Sequence, residues 1–166
     1  AWFEKAVARA PTDPLALLGR GLARLERGDG PGADKDFAAA GGSPSGIPPF
    51  IALQVHLRRG ELRIRQRHVT QALLDFEQAV SLSPDSAGAH YGRGRALFEL
   101  GRIEEAEPEV VRALEGGHAR ALLCLAGIRL RQGRLDDARA LLRDAAQRPE
   151  LREAAERLLG TRELAL

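Results

Sequence analysis

The feature that most restricts this 166-residue chain is that it repeats itself. Leu18-Gly19-Arg20-Gly21-Leu22-Ala23 returns as Tyr91-Gly92-Arg93-Gly94-Arg95-Ala96, and Ala33-Asp34-Lys35-Asp36-Phe37 returns as Ala72-Leu73-Leu74-Asp75-Phe76. Gly60 to Gly94 and Ala72 to Ala106 are both 34 residues. Gly21 to Gly60 and Ala33 to Ala72 are both 39, the excess falling in the breaker-rich stretch Gly41-Gly42-Ser43-Pro44-Ser45-Gly46. Ala106 to Ala138 is 32, across the turn Gly116-Gly117-His118. A repeated unit of this length buries its apolar face only against its neighbours.

Each unit carries a small residue in its first half and a small–large–small series in its second, and three of the four place a glycine between the halves. The residues are Gly21, Gly28, Ala33, Phe37 and Ala40 in the first unit, and Gly60, Ala72, Phe76, Ala79 and Pro84 in the second. The third has Gly94, Gly101, Ala106, Val110 and Ala113, and the fourth Ala126, Gly133, Ala138, Leu142 and Ala145. The pattern resembles the tetratricopeptide repeat family, whose unit is a 34-residue helical hairpin. Phe3, Ala6 and Pro11 look like a second helix without its first. Three departures stand out. Arg67 takes a turn-glycine position, Gly30-Pro31-Gly32 loosens the first turn, and Arg24, Arg63 and Arg129 occupy a site that the family usually gives to a large aromatic.

The expected fold is all-α, a right-handed superhelical solenoid of antiparallel helix pairs as the resemblance implies, without strands. The expected order is a half repeat (1–13), repeats at 14–47, 48–86, 87–118 and 119–148, and a capping helix and tail at 149–166. Helices are expected near 2–9, 14–27, 31–40, 48–66, 70–82, 86–100, 103–115, 119–132, 135–147 and 149–160. In the last, Leu151, Ala154, Ala155, Leu158 and Leu159 form one apolar stripe and charged residues the opposite face, as a solvated end requires.

Comparing the repeats with one another exposes a pairing. The residue before each crossing position is Arg20, Arg59, Arg93 or Leu125, and 16 residues on stands Asp36, Asp75, Glu109 or Leu141. Basic faces acidic three times, and apolar faces apolar once. Pairing between successive repeats would match Asp36 with Arg59 and Asp75 with Arg93 but leave Glu109 beside Leu125. Pairing within each hairpin accounts for all four, so Arg20–Asp36, Arg59–Asp75 and Arg93–Glu109 are expected as structural ion pairs.

Composition limits the function. A net charge of +2 does not mark a nucleic-acid binder, and the pI of 9.2 reflects 23 arginines against only Lys5 and Lys35. That skew, with abundant Ala and Gly, follows from GC-rich coding. The run Arg58-Arg59, Arg63, Arg65, Arg67-His68 is the best hint of a nucleic-acid contact, but it lacks interleaved aromatics. No stretch approaches the roughly 20 apolar residues of a membrane helix, and no signal peptide is visible. The chain has no Met, which fits either a piece of something longer or removal of an initiator Met. Cys124 stands alone, so no internal disulfide forms and the compartment stays open. His56, His68, His90 and His118 lack helical metal-ligand spacing. Gly92-Arg93-Gly94 belongs to the repeat and follows no strand, and Glu104-Glu105-Ala106-Glu107-Pro108-Glu109 reads as the solvated start of a second helix. No enzyme, cofactor or metal is expected.

The resemblance implies a protein-binding scaffold whose first helices line a concave surface. By register the partner-facing residues are Gln54, Leu57, Arg58 and Glu61, then Tyr91, Arg95 and Phe98, then Arg120, Leu123 and Arg131, with Leu15, Leu18 and Leu22 forming a greasy end. Arg58, Arg95 and Arg120 make a basic strip beside Tyr91 and Phe98, suited to a segment with Asp or Glu near an apolar anchor. The alternatives are that these groups merely solvate that face, that Tyr91 and Phe98 pack against a neighbouring helix, or that the chain contacts a folded partner or another copy through its convex side or its open edge at Trp2 and Phe3. The family's lysine- and asparagine-based clamp for carboxyl-terminal peptides is not reproduced here.

Overall fold

The computed structural model describes residues 2–42 and 48–161. Residues 43–46 of the expected loop and the tail 162–166 lie outside the described residues. Ten helices are described: α1 (Trp2–Arg9), α2 (Pro14–Glu26), α3 (Gly30–Gly41), α4 (Pro49–Arg65), α5 (Val69–Leu82), α6 (Ala87–Glu99), α7 (Ile103–Glu115), α8 (Ala121–Arg131), α9 (Leu135–Ala146) and α10 (Arg152–Leu159). No strand occurs among the described residues. The helices group into two compact units, Ala1–Pro84 with α1–α5 and Asp85–Leu166 with α6–α10.

Local chemistry sets the helix ends. The Asp13 carboxylate accepts from the Leu15 N–H at 3.1 Å with Pro14 in the first turn, and Asp29 accepts from Gly32 N–H at 2.9 Å. Ser86 Oγ accepts from Ala89 N–H at 3.3 Å. The starts of α7 and α9 carry no side-chain cap; Glu104, Glu105, Asp136 and Asp137 there face the positive helix ends. The last helix begins at Arg152 rather than 149. Pro149 and Glu150 form a turn in which Leu151 N–H bonds the Arg148 carbonyl at 3.0 Å, and Leu151, only 3% exposed, plugs the core beneath.

Inside each repeat the first helix ends on a residue with positive φ: Gly28 (81°), Arg67 (64°), Gly101 (78°) and Gly133 (73°). The next N–H reaches back to a helix carbonyl in each turn, Asp29 to Arg24, His68 to Arg63, Arg102 to Leu97 and Arg134 to Arg129, at 2.8–2.9 Å. Arg67 therefore holds a glycine conformation with a side chain, at a cost of about 1–2 kcal/mol. Replacing Arg67 by Gly also loosens the unfolded chain, which takes back ~0.4–1 kcal/mol. The expected net result is a gain of about 0.5–1 kcal/mol, read as a higher urea midpoint by circular dichroism. A lower midpoint indicates that the Arg67 side chain makes a stabilising contact.

Partners between α2 and α3 run in opposite directions along the two helices, Arg24 meeting the Gly32 carbonyl and Arg20 meeting Asp36, so the pair is antiparallel. Arg63 with Gln71 and Arg59 with Asp75 repeat this between α4 and α5. The helices touch at the small residues. A Cβ on Gly21 would stand 2.5 Å from the Phe37 ring, on Gly60 2.8 Å from the Phe76 ring, and on Gly94 2.7 Å from Val110 Cγ2 and 3.1 Å from the Val110 backbone nitrogen. In the last pair Ala126 takes that place, fully buried with Leu142. Around these crossings Val7, Leu17, Phe37, Val55 and Leu62 build the core of the first unit, and Leu122, Leu142, Leu151 and Ala155 part of that of the second.

Candidate functional site

Two sets of polar groups are candidates for function, one inside the hairpins and one on the first helices. Inside, Arg20 Nη2 lies 2.6 Å from Asp36 Oδ1 and Arg20 Nε donates to Oδ2 at 2.9 Å. Arg59 Nη2 meets Asp75 Oδ1 at 2.5 Å, and Arg93 meets Glu109 through Nε at 2.8 Å and through Nη2. The three carboxylates are 2%, 2% and 6% exposed, a burial that is tolerated only because each is matched by cations. Leu141 takes the corresponding position on α9, half-buried, with Leu125 buried on α8.

Sequence comparison missed two histidines. His56 Nδ1 is 3.1 Å from Asp75 Oδ1, and His90 Nδ1 is 2.8 Å from Glu109 Oε2. The signal was available: both stand three residues before the paired Arg, 34 apart, while Leu17 and Leu122 hold that register in the outer repeats. The clusters also explain the arginines that replace an aromatic. Arg24 Nη1 reaches Asp36 Oδ2 at 3.0 Å and the Gly32 carbonyl at 3.1 Å. Arg63 Nη1 reaches Asp75 Oδ2 at 2.7 Å and the Gln71 carbonyl at 3.3 Å. Arg129 reaches back to Glu107 on α7 at 2.5 Å. Burial raises the Asp75 carboxyl pKa, but the His56 hydrogen bond and the Arg59 and Arg63 guanidiniums outweigh it and hold the group below its ordinary value. Glu109 is likewise pushed up by burial and brought below its ordinary value by Arg93 and His90.

On the first helices the expected partner-facing residues divide between the units. On α4, Gln54 and Leu57 are half-buried and Arg58 bonds Glu61 at 3.1 Å. On α2, Leu15 is 55% exposed, Leu22 packs against the core, and Leu18 is buried at 7% and so unavailable to a partner. In the second unit Tyr91, Arg95 and Phe98 follow one stripe of α6. Tyr91 stacks on His118, ring centroids 4.1 Å apart and planes 19° from parallel. Arg131 sits over the Phe98 ring at 5.5 Å, and that ring lies 3.1 Å from where a Gly127 Cβ would be. Arg95 bonds Glu99 at 3.1 Å, Arg120 is exposed ahead of α8, and Leu123 is half-buried with one side against the core. On α8, near Arg95 and Glu99 of α6, the Cys124 thiol is pushed up to about 12 by burial, far from nucleophilic thiolate.

Of the basic run, Arg59 and Arg63 are committed to Asp75 and Arg58 bonds Glu61, while Arg65 and Arg67 are exposed. Among the described residues no three His, Cys, Asp or Glu side chains are gathered as a metal site. No described helix is long and apolar enough to cross a membrane.

An array of helix hairpins packed through small crossing residues defines a helical-repeat protein. The comparisons with known proteins agree: the tetratricopeptide repeat family model matches residues 57–117 and 111–153, and the chain belongs to that family. Members of this family generally mediate protein–protein interaction. A TPR repeat-containing thioredoxin of Arabidopsis thaliana, TTL4, is 34% identical over 95 residues, 56% of this chain, but the match spans only 14% of that protein. The fold is similar to a thermophilic TPR protein of Thermus thermophilus (TM-score 0.76, 24% identity, 99% of this chain and 88% of that one). It is also similar to YrrB, a TPR protein with an unusual peptide-binding site (TM-score 0.70, 19% identity, 93% and 80%).

Proposed function

We propose that the chain is a scaffold holding a segment of another protein against its first helices, with Gln54, Leu57, Arg58 and Glu61 on α4 and Tyr91, Arg95, Phe98, Arg120, Leu123 and Arg131 on and beside α6 and α8 as the candidate contacts, Arg120 and Arg131 exposed and the others half-buried. The observation that carries this reading is the concentration of arginine and aromatic side chains on α6 and α8, the residue types that dominate binding hot spots. The two rings, both on α6, are braced in place, by His118 and by Gly127 with Arg131, so little ordering entropy remains to be lost on binding. Arg20–Asp36, Arg59–Asp75 and Arg93–Glu109 serve the scaffold and not the partner. The experiment is a pull-down from the source organism with wild type and an Arg58→Glu/Arg95→Glu/Arg120→Glu variant, matched for folding by circular dichroism. The variant is expected to lose at least about nine-tenths of the captured partner, since each reversed charge repels an acidic segment on its own helix. A partner retained undiminished places the contact elsewhere.

A second reading has its own observation. Trp2 is 72% exposed and meets Phe3 edge-on at 5.0 Å, above a shallow pocket lined by Arg20, Ala23, Arg24 and Arg27. This edge suits self-association or a folded partner. Sedimentation of wild type against Trp2→Ser decides it: a concentration-dependent dimer lost in the variant supports this reading, and a monomer in both removes self-association.

A further inference from the structure

We propose that the face formed by α6 and α8 takes an acidic helical segment of a partner protein, with two apolar anchors seven residues apart and a carboxylate between them. The proposal rests on the reading of the chain as an interaction scaffold and adds the chemistry of what it holds.

Spacing is the first argument. Tyr91, Arg95 and Phe98 stand at i, i+4 and i+7 on α6, so aromatic, cation and aromatic follow one line along the helix. The two residues are seven apart, so their backbone positions are ~10.5 Å apart along the axis at 1.5 Å per residue. A partner helix lying along this face presents side chains seven apart at the same ~10.5 Å rise. An extended strand presents same-face side chains at about 6.7 and 13 Å, and neither matches. The anchors are fixed points: Tyr91 is stacked on His118, and Phe98 lies against Gly127 beneath Arg131.

Charge is the second. The α8 sequence Ala121–Arg131 contains no carboxylate, and α6 contains only Glu99. Arg93 and Arg129 are already engaged by Glu109 and Glu107, which leaves Arg95, Arg120 and Arg131 against the single acid. The second helices of the same unit begin with Glu104 and Glu105 or Asp136 and Asp137, so an acidic segment is repelled from their starts and drawn to the first-helix face. Arg95, midway between the rings, is where the ligand's central carboxylate sits. It exchanges an intrahelical partner, Glu99 at 3.1 Å, for the incoming one.

The test is selection of a displayed library of random 16-residue peptides on the full chain, followed by fluorescence anisotropy of the enriched peptides. Enriched sequences are expected to be net negative, with apolar residues seven apart and Asp or Glu between them. Their affinity should fall about tenfold or more with Arg95→Glu/Arg131→Glu and about threefold with the single exposed change Arg120→Glu. The single variant keeps the test valid if the double one folds poorly. Enriched peptides with no acidic bias, or with undiminished binding to Arg120→Glu, overturn the acidic-helix proposal and leave the scaffold reading intact. Failure to enrich any peptide, while the pull-down still yields a folded partner, overturns the proposal in favour of surface-to-surface docking.

Discussion

Asp75→Ala is expected to cost about 3 kcal/mol, at the low end of the ~3–5 kcal/mol for breaking a buried pair. Its carboxylate is 2% exposed and is shared by His56, Arg59 and Arg63, whose side chains are 17–20% exposed. Removing it leaves two guanidiniums side by side with no counter-charge, but with enough access to water to keep the loss from the upper end. Arg59→Met should cost less, because Arg63 and His56 remain on Asp75. Urea denaturation of the two variants and their double mutant gives the coupling, and a coupling of zero would falsify the charged layer as a stabilising feature. Acid should act on the same layer. The folded-state pKa values of Asp75 and Glu109 lie below their ordinary values. The stability they contribute is therefore full above the ordinary carboxylate range and is lost as pH falls through the depressed folded values. Asp75→Ala is expected to flatten the acid limb of a stability–pH curve; an unchanged limb contradicts the assignment.

Gly94→Val carries the other large effect. A Cβ at Gly94 stands 2.7 Å from Val110 Cγ2, which can turn aside, but also 3.1 Å from the Val110 backbone nitrogen, which can move only if α7 moves. Two further methyl groups at that crossing force α6 and α7 apart, so a loss of roughly 3 kcal/mol is expected, the upper part of the range for overpacking. Gly94→Ala should cost about 1 kcal/mol, since better helix propensity returns part of the strain. Val110→Ala combined with Gly94→Ala makes room at one of the three close contacts, the Glu109 Cβ and the Val110 nitrogen at 3.1 Å remaining, and the pair should lose less than the sum of the singles. Thermal unfolding by circular dichroism reads all three; a Gly94→Val protein as stable as wild type means the crossing lies elsewhere on α6.

Much of this was legible because the chain compares itself with itself. The Gly21, Gly60 and Gly94 register placed the helix crossings. The exchange of an arginine–carboxylate pair for Leu125 with Leu141 in the fourth repeat singled out the facing residues of each hairpin. The helix ends were legible wherever Asp, Ser, Pro or Gly punctuates them. The start of α10 was not, because Pro149 is compatible both with a first helical turn and with the turn that precedes one, and burial of Leu151 selects the second. His56 and His90 were overlooked for a different reason. A histidine was weighed as a metal ligand or as nothing, whereas here its ring nitrogen completes the hydrogen bonding of a buried carboxylate. The Arg24, Arg63 and Arg129 substitutions needed coordinates, since their partners lie on the facing or preceding helix, 8 to 22 residues away. On the surface, periodicity could name which residues share the first-helix face but not that Tyr91 leans on His118 or Phe98 on Gly127. It also could not tell Leu18, which is core, from Leu15, which is exposed.

The central claim is that the first helices hold the partner. Its most direct measurement is hydrogen–deuterium exchange of the full chain with and without the partner recovered by pull-down. Slowed exchange confined to first helices, strongest over Ala87–Glu99 and Ala121–Arg131, with α7 and α9 unchanged, is the predicted result. Protection that falls instead on α7 and α9, or on Trp2–Arg9 alone, contradicts the account.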